Sequence, residues 1–184
     1  MMPGWRPKAI PGLWVFNPRV ARYIRAMTVI FRPMTKADLA AAATLWHAGW
    51  HDGHAAICPP ALTRQRTAQS FHDRLARDIA NARVALRADR VAGFHILKGN
   101  ELYQFFVAPA ERGSGLATQL MHDAETHLRA AGHHRAWLAC TVGNARAARF
   151  YERSGWTRAA TERMEFETAD GPFALDAWRY EKTL

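Results

Sequence analysis

The sequence is poor in cysteine and contains no long apolar run. Its two cysteines, Cys58 and Cys140, lack the C-x-x-C spacing, which excludes both the disulfide framework of small secreted domains and a structural zinc site. No apolar run approaches the roughly 20 residues that a membrane helix needs, because prolines and a glycine interrupt the N-terminal candidate at residues 9–20. That stretch is also a poor signal peptide. We therefore expect a cytoplasmic protein with no membrane partner.

Acidic residues are outnumbered in this chain. Its 184 residues include 25 Lys and Arg against 16 Asp and Glu, which gives a formal net charge of +9. Residues 1–26 carry five of the basic residues and no acidic one, so only +4 remains for the rest of the chain. That balance suits an anionic small ligand such as a nucleotide as well as it suits nucleic acid. Because the excess is concentrated at the N-terminus, we expect no nucleic-acid partner.

The chain is predicted to form one domain, over residues 27–184. Residues 1–26 contain four prolines and two tryptophans without helical or strand periodicity, so we expect a loosely ordered basic extension there. From Met27 onward the apolar residues recur regularly, and 49% hydrophobic residues are enough for one ordinary core.

Apolar periodicity predicts alternating strands and helices in that domain. Thr35-x-x-Asp38 resembles a capping box at the start of a first helix. A second helix is predicted after Pro59-Pro60, with charged side chains mostly opposite its apolar stripe: Arg64, Arg66, Asp73, Arg74, Arg77 and Asp78. The clearest helix begins near Leu116 and stops before Gly132. Strands are predicted at residues 28–31, 83–86, 91–97, 101–107 and 135–141, and on both sides of Asp170-Gly171-Pro172.

A glycine-containing loop lies between the predicted strand 101–107 and the clearest helix, and it reads Arg112-Gly113-Ser114-Gly115-Leu116-Ala117. Glycines allow a ligand to approach the backbone, and the free N–H groups of a helix start attract anions such as pyrophosphate. A P-loop would require Gly-Lys-Ser/Thr at the end of the loop. A dinucleotide-binding fingerprint would require Gly or Ala at position 118, where this sequence has Thr118, and an acidic residue about 20 positions later. This sequence has neither feature.

The loop instead fits the pattern Arg/Gln-x-x-Gly-x-Gly/Ala. It is followed by the segment 144–156, which reads Asn-Ala-Arg-Ala-Ala-Arg-Phe-Tyr-Glu-Arg-Ser-Gly-Trp. Together the two motifs resemble the GNAT superfamily of acyl-CoA-dependent N-acetyltransferases. The resemblance covers about residues 27–184, and residues 1–26 have no counterpart in the family. It implies an α/β (α+β) fold with a mixed, mainly antiparallel twisted sheet of about seven strands and helices on both faces.

The resemblance also implies a binding site for acetyl-CoA as the acyl donor, with no metal. The backbone of Phe105, Phe106 and Val107 would bind the pantetheine arm as an added strand would. The pyrophosphate would lie on the amides of Arg112, Gly113, Ser114, Gly115, Leu116, Ala117 and Thr118. Asn144 matches the asparagine that caps the next helix and helps to hold the cofactor, and a plain N-cap would account for it equally well.

Two residues match catalytic positions of the family. Tyr151 matches the tyrosine that donates a proton to the departing CoA thiolate, although an aromatic residue on a short helix also packs against a core. Glu101 matches the carboxylate that removes the proton of the attacking amine, although a glutamate beside a turn is often a surface group. The implied reaction is direct attack of a primary amine on the thioester through a tetrahedral intermediate. It gives Cys140 no role as a nucleophile.

The resemblance implies an acceptor site at the first two helices and their linker, lined by Trp46, Trp50, His51 and His54. Alternatively, the tryptophans belong to the core and the histidines to the surface. His47 and His51 have metal-ligand spacing, but no third ligand is evident. The resemblance leaves open a small-molecule, protein or peptide amine as the acceptor, and either a monomer or a homodimer as the oligomeric state. The alternative function is a catalytically silent acyl-CoA-binding sensor or partner module of the same fold.

Overall fold

A single mixed sheet is the frame of the protein. The structure is a computed structural model that describes residues 28–184, so the predicted extension 1–26 lies outside the described residues. The strands are β1 Val29–Pro33, β2 Ala82–Arg87, β3 Arg90–Lys98, β4 Glu101–Val107, β5 Arg135–Thr141, β6 Thr157–Thr168 and β7 Gly171–Thr183. They pair in the order β1-β2-β3-β4-β5-β7-β6, and all pairs except the parallel β4–β5 pair are antiparallel. The predicted seven-stranded, mainly antiparallel sheet is confirmed.

Five α-helices connect the strands within the described residues. They are α1 Leu39–His54, α2 Pro60–Gln65, α3 Ala68–Asp78, α4 Leu116–Ala130 and α5 Ala145–Arg153. The predicted cap before α1 is present, because the Asp38 carboxylate accepts hydrogen bonds from the backbone N–H and the hydroxyl of Thr35. The carboxylate also pairs with the Arg32 guanidinium on β1. This joins the start of α1 to the first strand.

The helices cover both faces of the sheet. Phe94 of β3 packs against Trp46 of α1, with ring centroids 5.6 Å apart. At the neighbouring Gly93, a Cβ atom would face the other side of the sheet, because it would lie 3.2 Å from Leu120 of α4. Successive residues of a strand alternate between faces, so α1 and α4 lie on opposite sides.

One predicted helix is two helices in the structure. The chain after Pro59 forms α2, leaves helical geometry at Arg66 (φ −87°, ψ 62°), and restarts at α3, where the Thr67 hydroxyl accepts from the backbone N–H of Ser70. The prediction that Arg66 and Arg74 lie on the polar face was wrong, since both are buried. The cause is tertiary: the β6–β7 hairpin contacts this region, and the Arg66 guanidinium donates to the carbonyl of Glu167 at 2.7 Å.

Strands β4 and β5 separate soon after they meet. Their only paired residues are Glu101 and Trp137, and the Trp137 N–H donates to the Asn100 carbonyl at 3.1 Å. On its other side β4 contains a bulge, because Ile96 pairs with Gln104 while the next residue of β3 pairs with Leu102, which leaves Tyr103 as the extra residue. The splayed strands open a cleft in the middle of the sheet.

Among the described residues, no helix is long and apolar enough to cross a membrane.

Candidate active site

The cleft between β4 and β5 is a cavity of about 510 Å³, within the size range of small-molecule sites. Its walls come from β4, the end of β5, the segment 109–118 and α5, and from the last turns of α1. Residues of β4 at the cleft include Phe105, Phe106 and Val107, which the sequence predicted there. Because β5 does not pair with this half of β4, the backbone of β4 offers hydrogen-bonding groups to a ligand in the cleft.

The glycine loop gives one end of the cleft an anion-binding geometry. Gly113 and Gly115 have φ angles of 78° and 82°, and a Cβ atom at either position would meet nothing within 4 Å. Gly115 precedes the first residue of α4. The N–H groups of the first helical turn, including those of Ala117 and Thr118 at the cleft, therefore have no acceptor within the helix. The partial positive charge of a helix start favours an anion at this point.

Two residues of the predicted loop do not line the cleft. The Ser114 hydroxyl donates to the carbonyl of Glu111 at 2.8 Å and accepts from the N–H of Leu116 at 3.2 Å. Leu116 is fully buried among the residues between α4 and the sheet. The Ser114 hydroxyl therefore stabilises the turn of the loop, and Leu116 anchors the start of α4 in the core.

Three charged side chains meet at the mouth of the cleft. The Asp52 carboxylate of α1 pairs with Arg112 of the glycine loop and with Arg146 of α5. All three side chains are exposed, and hydrogen bonds from Arg146 and Arg112 lower the pKa of Asp52 although partial burial opposes the shift. The sequence analysis did not single out Asp52 or Arg146. No local signal marks them, because the three residues come from distant parts of the chain.

Asn144 connects α5 to α1 across the cleft. Its Oδ1 accepts from the backbone N–H of Ala147 at 3.2 Å, which is the predicted N-cap, and its amide nitrogen lies 3.4 Å from Nε2 of His54. The other ring nitrogen of His54 lies 3.0 Å from the Trp50 carbonyl, so it carries the proton and donates. Burial lowers the pKa of His54 to about 4. The imidazole is therefore neutral at physiological pH, with Nε2 as an acceptor.

Tyr151 lies on the wall of the cleft, as predicted. Its hydroxyl makes no hydrogen bond with any of residues 28–184, and its ring packs on Phe150 and Tyr180 at centroid distances of 5.7 and 5.8 Å. Burial, helped by Cys140 and Tyr180, raises the pKa of Tyr151 above its ordinary range. The hydroxyl thus stays protonated and can donate to a group in the cleft.

Glu101 stands at the closed end, where β4 and β5 still pair. It is half-buried and, unlike Tyr151, is not one of the residues that line the cavity. Burial raises the pKa of Glu101 to about 7, against the opposing effect of Lys98 and Arg179. A carboxyl group with this pKa can accept a proton at neutral pH.

The four predicted acceptor residues occupy different environments. Trp46 is completely buried and Trp50 is 7% exposed, and both belong to the core between α1, α3 and the sheet. His51 lies 2.9 Å from the carbonyl of Arg66 and holds the α2–α3 junction. Of the four, His54 lines the cleft. No cluster of three His, Cys, Asp or Glu side chains with metal-site geometry occurs in the part of the chain that the structure describes.

Sequence comparison assigns the chain to a family. The model of the acetyltransferase (GNAT) family matches residues 42–156, which include most of α1, the glycine loop, Asn144 and Tyr151. The chain belongs to the GNAT family. An uncharacterised N-acetyltransferase of Mycobacterium tuberculosis is 33% identical to this GNAT protein over 114 residues, which cover 54% of this chain and 72% of the relative.

Solved GNAT structures share the fold at low sequence identity. A GCN5-related N-acetyltransferase from Rhodopseudomonas palustris has a TM-score of 0.67 at 21% identity and covers 85% of this chain and 96% of its own. The PaiA N-acetyltransferase from Thermoplasma acidophilum, in complex with coenzyme A, has a TM-score of 0.65 at 16% identity. The match covers 85% of this chain and 99% of PaiA. YncA from Salmonella typhimurium, with its cofactor acetyl-CoA, has a TM-score of 0.63 at 20% identity. The match covers 85% of this chain and 94% of YncA. The predicted GNAT fold is confirmed by these likenesses.

Proposed function

We propose that this GNAT protein transfers an acetyl group from acetyl-CoA to a primary amine, of a small molecule or of a peptide, by direct attack. The observation that carries the proposal is the cleft between β4 and β5, which has an anion-binding helix start at one end and the unbonded hydroxyl of Tyr151 on its wall. We expect it to act in the cytoplasm as a monomer or homodimer.

The cleft residues fit acetyl-CoA. Gly113 and Gly115 leave open space where side chains would block a pyrophosphate, and Arg112 and Arg146 carry positive charge at the mouth. The free edge of β4 from Phe105 to Val107 matches the amides of a pantetheine arm, which would pair as a short strand. PaiA and YncA, which share this fold, bind coenzyme A and acetyl-CoA in their structures.

The proposed chemistry uses two protein groups of opposite character. Acetyl-CoA supplies an activated acyl group in its thioester. Glu101, with a pKa raised to about 7, removes the proton of the incoming ammonium group, directly or through water, so that the neutral amine can attack. Tyr151 donates its hydroxyl hydrogen to the sulfur as negative charge develops there. The amine N–C bond forms, the C–S bond breaks, and the sulfur leaves as a thiol. The nitrogen then loses a second proton to become the amide, and that proton, directly or through water, restores the Tyr151 hydroxyl.

Direct transfer agrees with the state of the cysteine at the cleft. Burial raises the pKa of Cys140 to about 12, so its thiol remains protonated near neutral pH and is a poor nucleophile. Cys140 is therefore not activated to form a covalent acetyl-enzyme, and orientation of the two reactants supplies part of the rate enhancement.

The test is acetyl-CoA titration by calorimetry, followed by release of free thiol over a panel of amines. The wild type is compared with Tyr151→Phe and with the control Tyr180→Phe, which removes a hydroxyl that bonds Glu152 and lies outside the cavity. We expect the wild type to release thiol only when an amine is present. Tyr151→Phe should reduce the rate of thiol release by about 100-fold or more without loss of acetyl-CoA affinity, and Tyr180→Phe should keep the wild-type rate. Binding without thiol release on any amine would support the silent sensor module, and absence of binding would refute the proposal.

A further inference from the structure

Two buried arginines of the α2–α3 region form no ion pair with a carboxylate among residues 28–184. Arg66, between α2 and α3, is 4% exposed, and Arg74 in α3 is 7% exposed. Within residues 28–184, no carboxylate oxygen lies within 4.0 Å of either guanidinium. Glu167, whose charge acts on Arg66 at longer range, forms its ion pair with the exposed Arg77. Buried guanidinium groups are ordinarily paired, because removing a charge from water is costly.

Both guanidinium groups also keep unused hydrogen-bond donors. Arg66 donates through Nη1 to the carbonyl of Glu167, and Arg74 donates through Nη2 to the hydroxyl oxygen of Tyr103 at 3.0 Å. The Nε atom of each arginine is buried and has no partner. The Trp46 ring lies 4.5 Å from the Arg74 Cζ atom, so an aromatic face supplies part of what a counter-ion would. The protein stabilises the two charges without neutralising them.

Tyr103 links this charge to the cleft. It is the bulged residue of β4, it is half-buried, and it lines the cavity. Because its oxygen accepts from Arg74, its own hydrogen is free to be donated elsewhere, and the adjacent cation strengthens that donor. The charge of Arg74 therefore reaches the cleft through Tyr103, which belongs to β4 and not to the glycine loop.

We infer that Arg66, Arg74 and Tyr103 recognise an oxyanion on the acceptor, so that the acetylated amine belongs to a molecule that also carries a carboxylate or a phosphate group. The inference rests on the proposed acetyl transfer. Tyr103 donates a hydrogen bond to the oxyanion, and the two guanidinium groups behind it supply the compensating charge. An uncharged substituent at this point leaves the buried charges unpaired, and a second cationic group is repelled by them.

Matched pairs of amines test this substrate class. Thiol release at saturating acetyl-CoA is measured for L-amino acids against their carboxamides, and for O-phosphoethanolamine against ethanolamine. We expect the anionic member of one pair to have a kcat/KM at least roughly tenfold higher, in the range of charge-assisted hydrogen bonds. The pair that shows the difference distinguishes a carboxylate from a phosphate. Turnover of amines with no preference in either pair would overturn the inference and leave acetyl transfer standing.

Variants locate the preference in the molecule. Tyr103→Phe removes the donor and keeps both arginines, and Arg74→Met removes one charge; each should reduce the preference to near unity while acetyl-CoA affinity is unchanged. Arg64→Met is the control, because Arg64 lies on the neighbouring helix α2 and is exposed, so the same loss of charge there should leave the preference intact. A preference that survives both Tyr103→Phe and Arg74→Met would place recognition elsewhere and overturn the inference.

Direct binding separates this inference from the proposed function if no amine is acetylated. Calorimetry of the protein in complex with CoA then compares N-acetyl-L-amino acids with their carboxamides, and N-acetyl-O-phosphoethanolamine with N-acetylethanolamine. Binding of an anionic member alone, lost in Tyr103→Phe, would support the oxyanion site although catalysis has failed. Equal binding, or binding of neither member, would refute it.

Discussion

Asp52 of α1 accepts a hydrogen bond from Arg146 of α5 at 2.5 Å and thereby closes the mouth of the cleft on one side. The same carboxylate oxygen accepts from Arg112 of the glycine loop. One acidic side chain is therefore shared by two arginines at the place where the phosphates of acetyl-CoA are proposed to lie. An anionic ligand at this point would compete with Asp52 for both cations.

Replacing Asp52 by asparagine should therefore tighten the binding of CoA. Both arginines become available to the phosphates and a nearby negative charge is removed, so we expect the Kd to fall about fivefold at low salt. The gain should shrink at high ionic strength, because the side chains are exposed and salt screens them. Calorimetry at two salt concentrations measures this, with Asp73→Asn as an equal charge change on the exposed side of α3. Weaker binding in Asp52→Asn would mean that Asp52 positions the arginines rather than competing for them.

The raised pKa of Glu101 predicts the pH dependence of the reaction. A general base works only when ionised, so thiol release should increase up to about pH 7, where Glu101 titrates, and then level off. Below that pH the rate should fall about tenfold per unit. Glu101→Gln should lower the rate and abolish this limb of the pH–rate profile.

The neighbouring cation offers a second test of the same group. Lys98 lowers the pKa of Glu101. Lys98→Met should therefore move the acidic limb of the pH–rate profile to higher pH, because the Glu101 carboxylate loses the stabilising positive charge of Lys98. A limb that persists unchanged in Glu101→Gln would assign the titration to another group and remove Glu101 from the proposed mechanism.

The central strands and the glycine loop were predictable from local sequence. β4 and β5 have the predicted bounds, 101–107 and 135–141, because turn-forming or helix-ending residues such as Gly99 and Gly132 delimit them. Asn144 caps α5 as predicted. In each case the physical cause, a turn conformation or a side-chain cap, lies within a few residues of the element that it ends.

The acceptor side of the site could not be predicted in the same way. Trp46 and Trp50 were expected at an acceptor pocket and lie in the core, while Arg66 and Arg74 were expected on a solvated helix face and are buried. Helical periodicity shows that a helix has two faces. It does not show that Arg66 will donate to the carbonyl of Glu167 on a hairpin formed about 100 residues later. Nor does it show that Arg74 will lie against the Trp46 ring and donate to Tyr103.

Gly115→Ala should weaken CoA binding more than it weakens the fold. Gly115 has a φ of 82°, where an alanine costs about 1–2 kcal/mol, and relief of that strain would displace the amides of the first turn of α4. We expect at least a tenfold rise in the Kd for CoA and a drop of about 1 kcal/mol in the free energy of unfolding. Gly132→Ala is the matched control, since Gly132 has a φ of 85° in equally open space beyond the other end of α4. Equal CoA affinity in both variants would refute a role for the loop geometry.

Gly49 and Gly93 both approach Phe106, and replacing each of them by alanine should change the free energy of unfolding by different amounts. A Cβ atom at Gly93 would lie 3.0 Å from the backbone oxygen of Phe106 and 3.2 Å from Leu120, whereas one at Gly49 would lie 2.9 Å from the Phe106 ring. A backbone oxygen in the sheet cannot move without separating β3 from β4, so Gly93→Ala should lower the free energy of unfolding by about 1–3 kcal/mol. In Gly49→Ala the ring can turn, and the better helix propensity of alanine, worth about 1 kcal/mol, offsets the crowding. Urea denaturation of both variants measures the difference, and a Gly93→Ala midpoint equal to or above that of Gly49→Ala would show that the β3–β4 contact is not as tight as this packing requires.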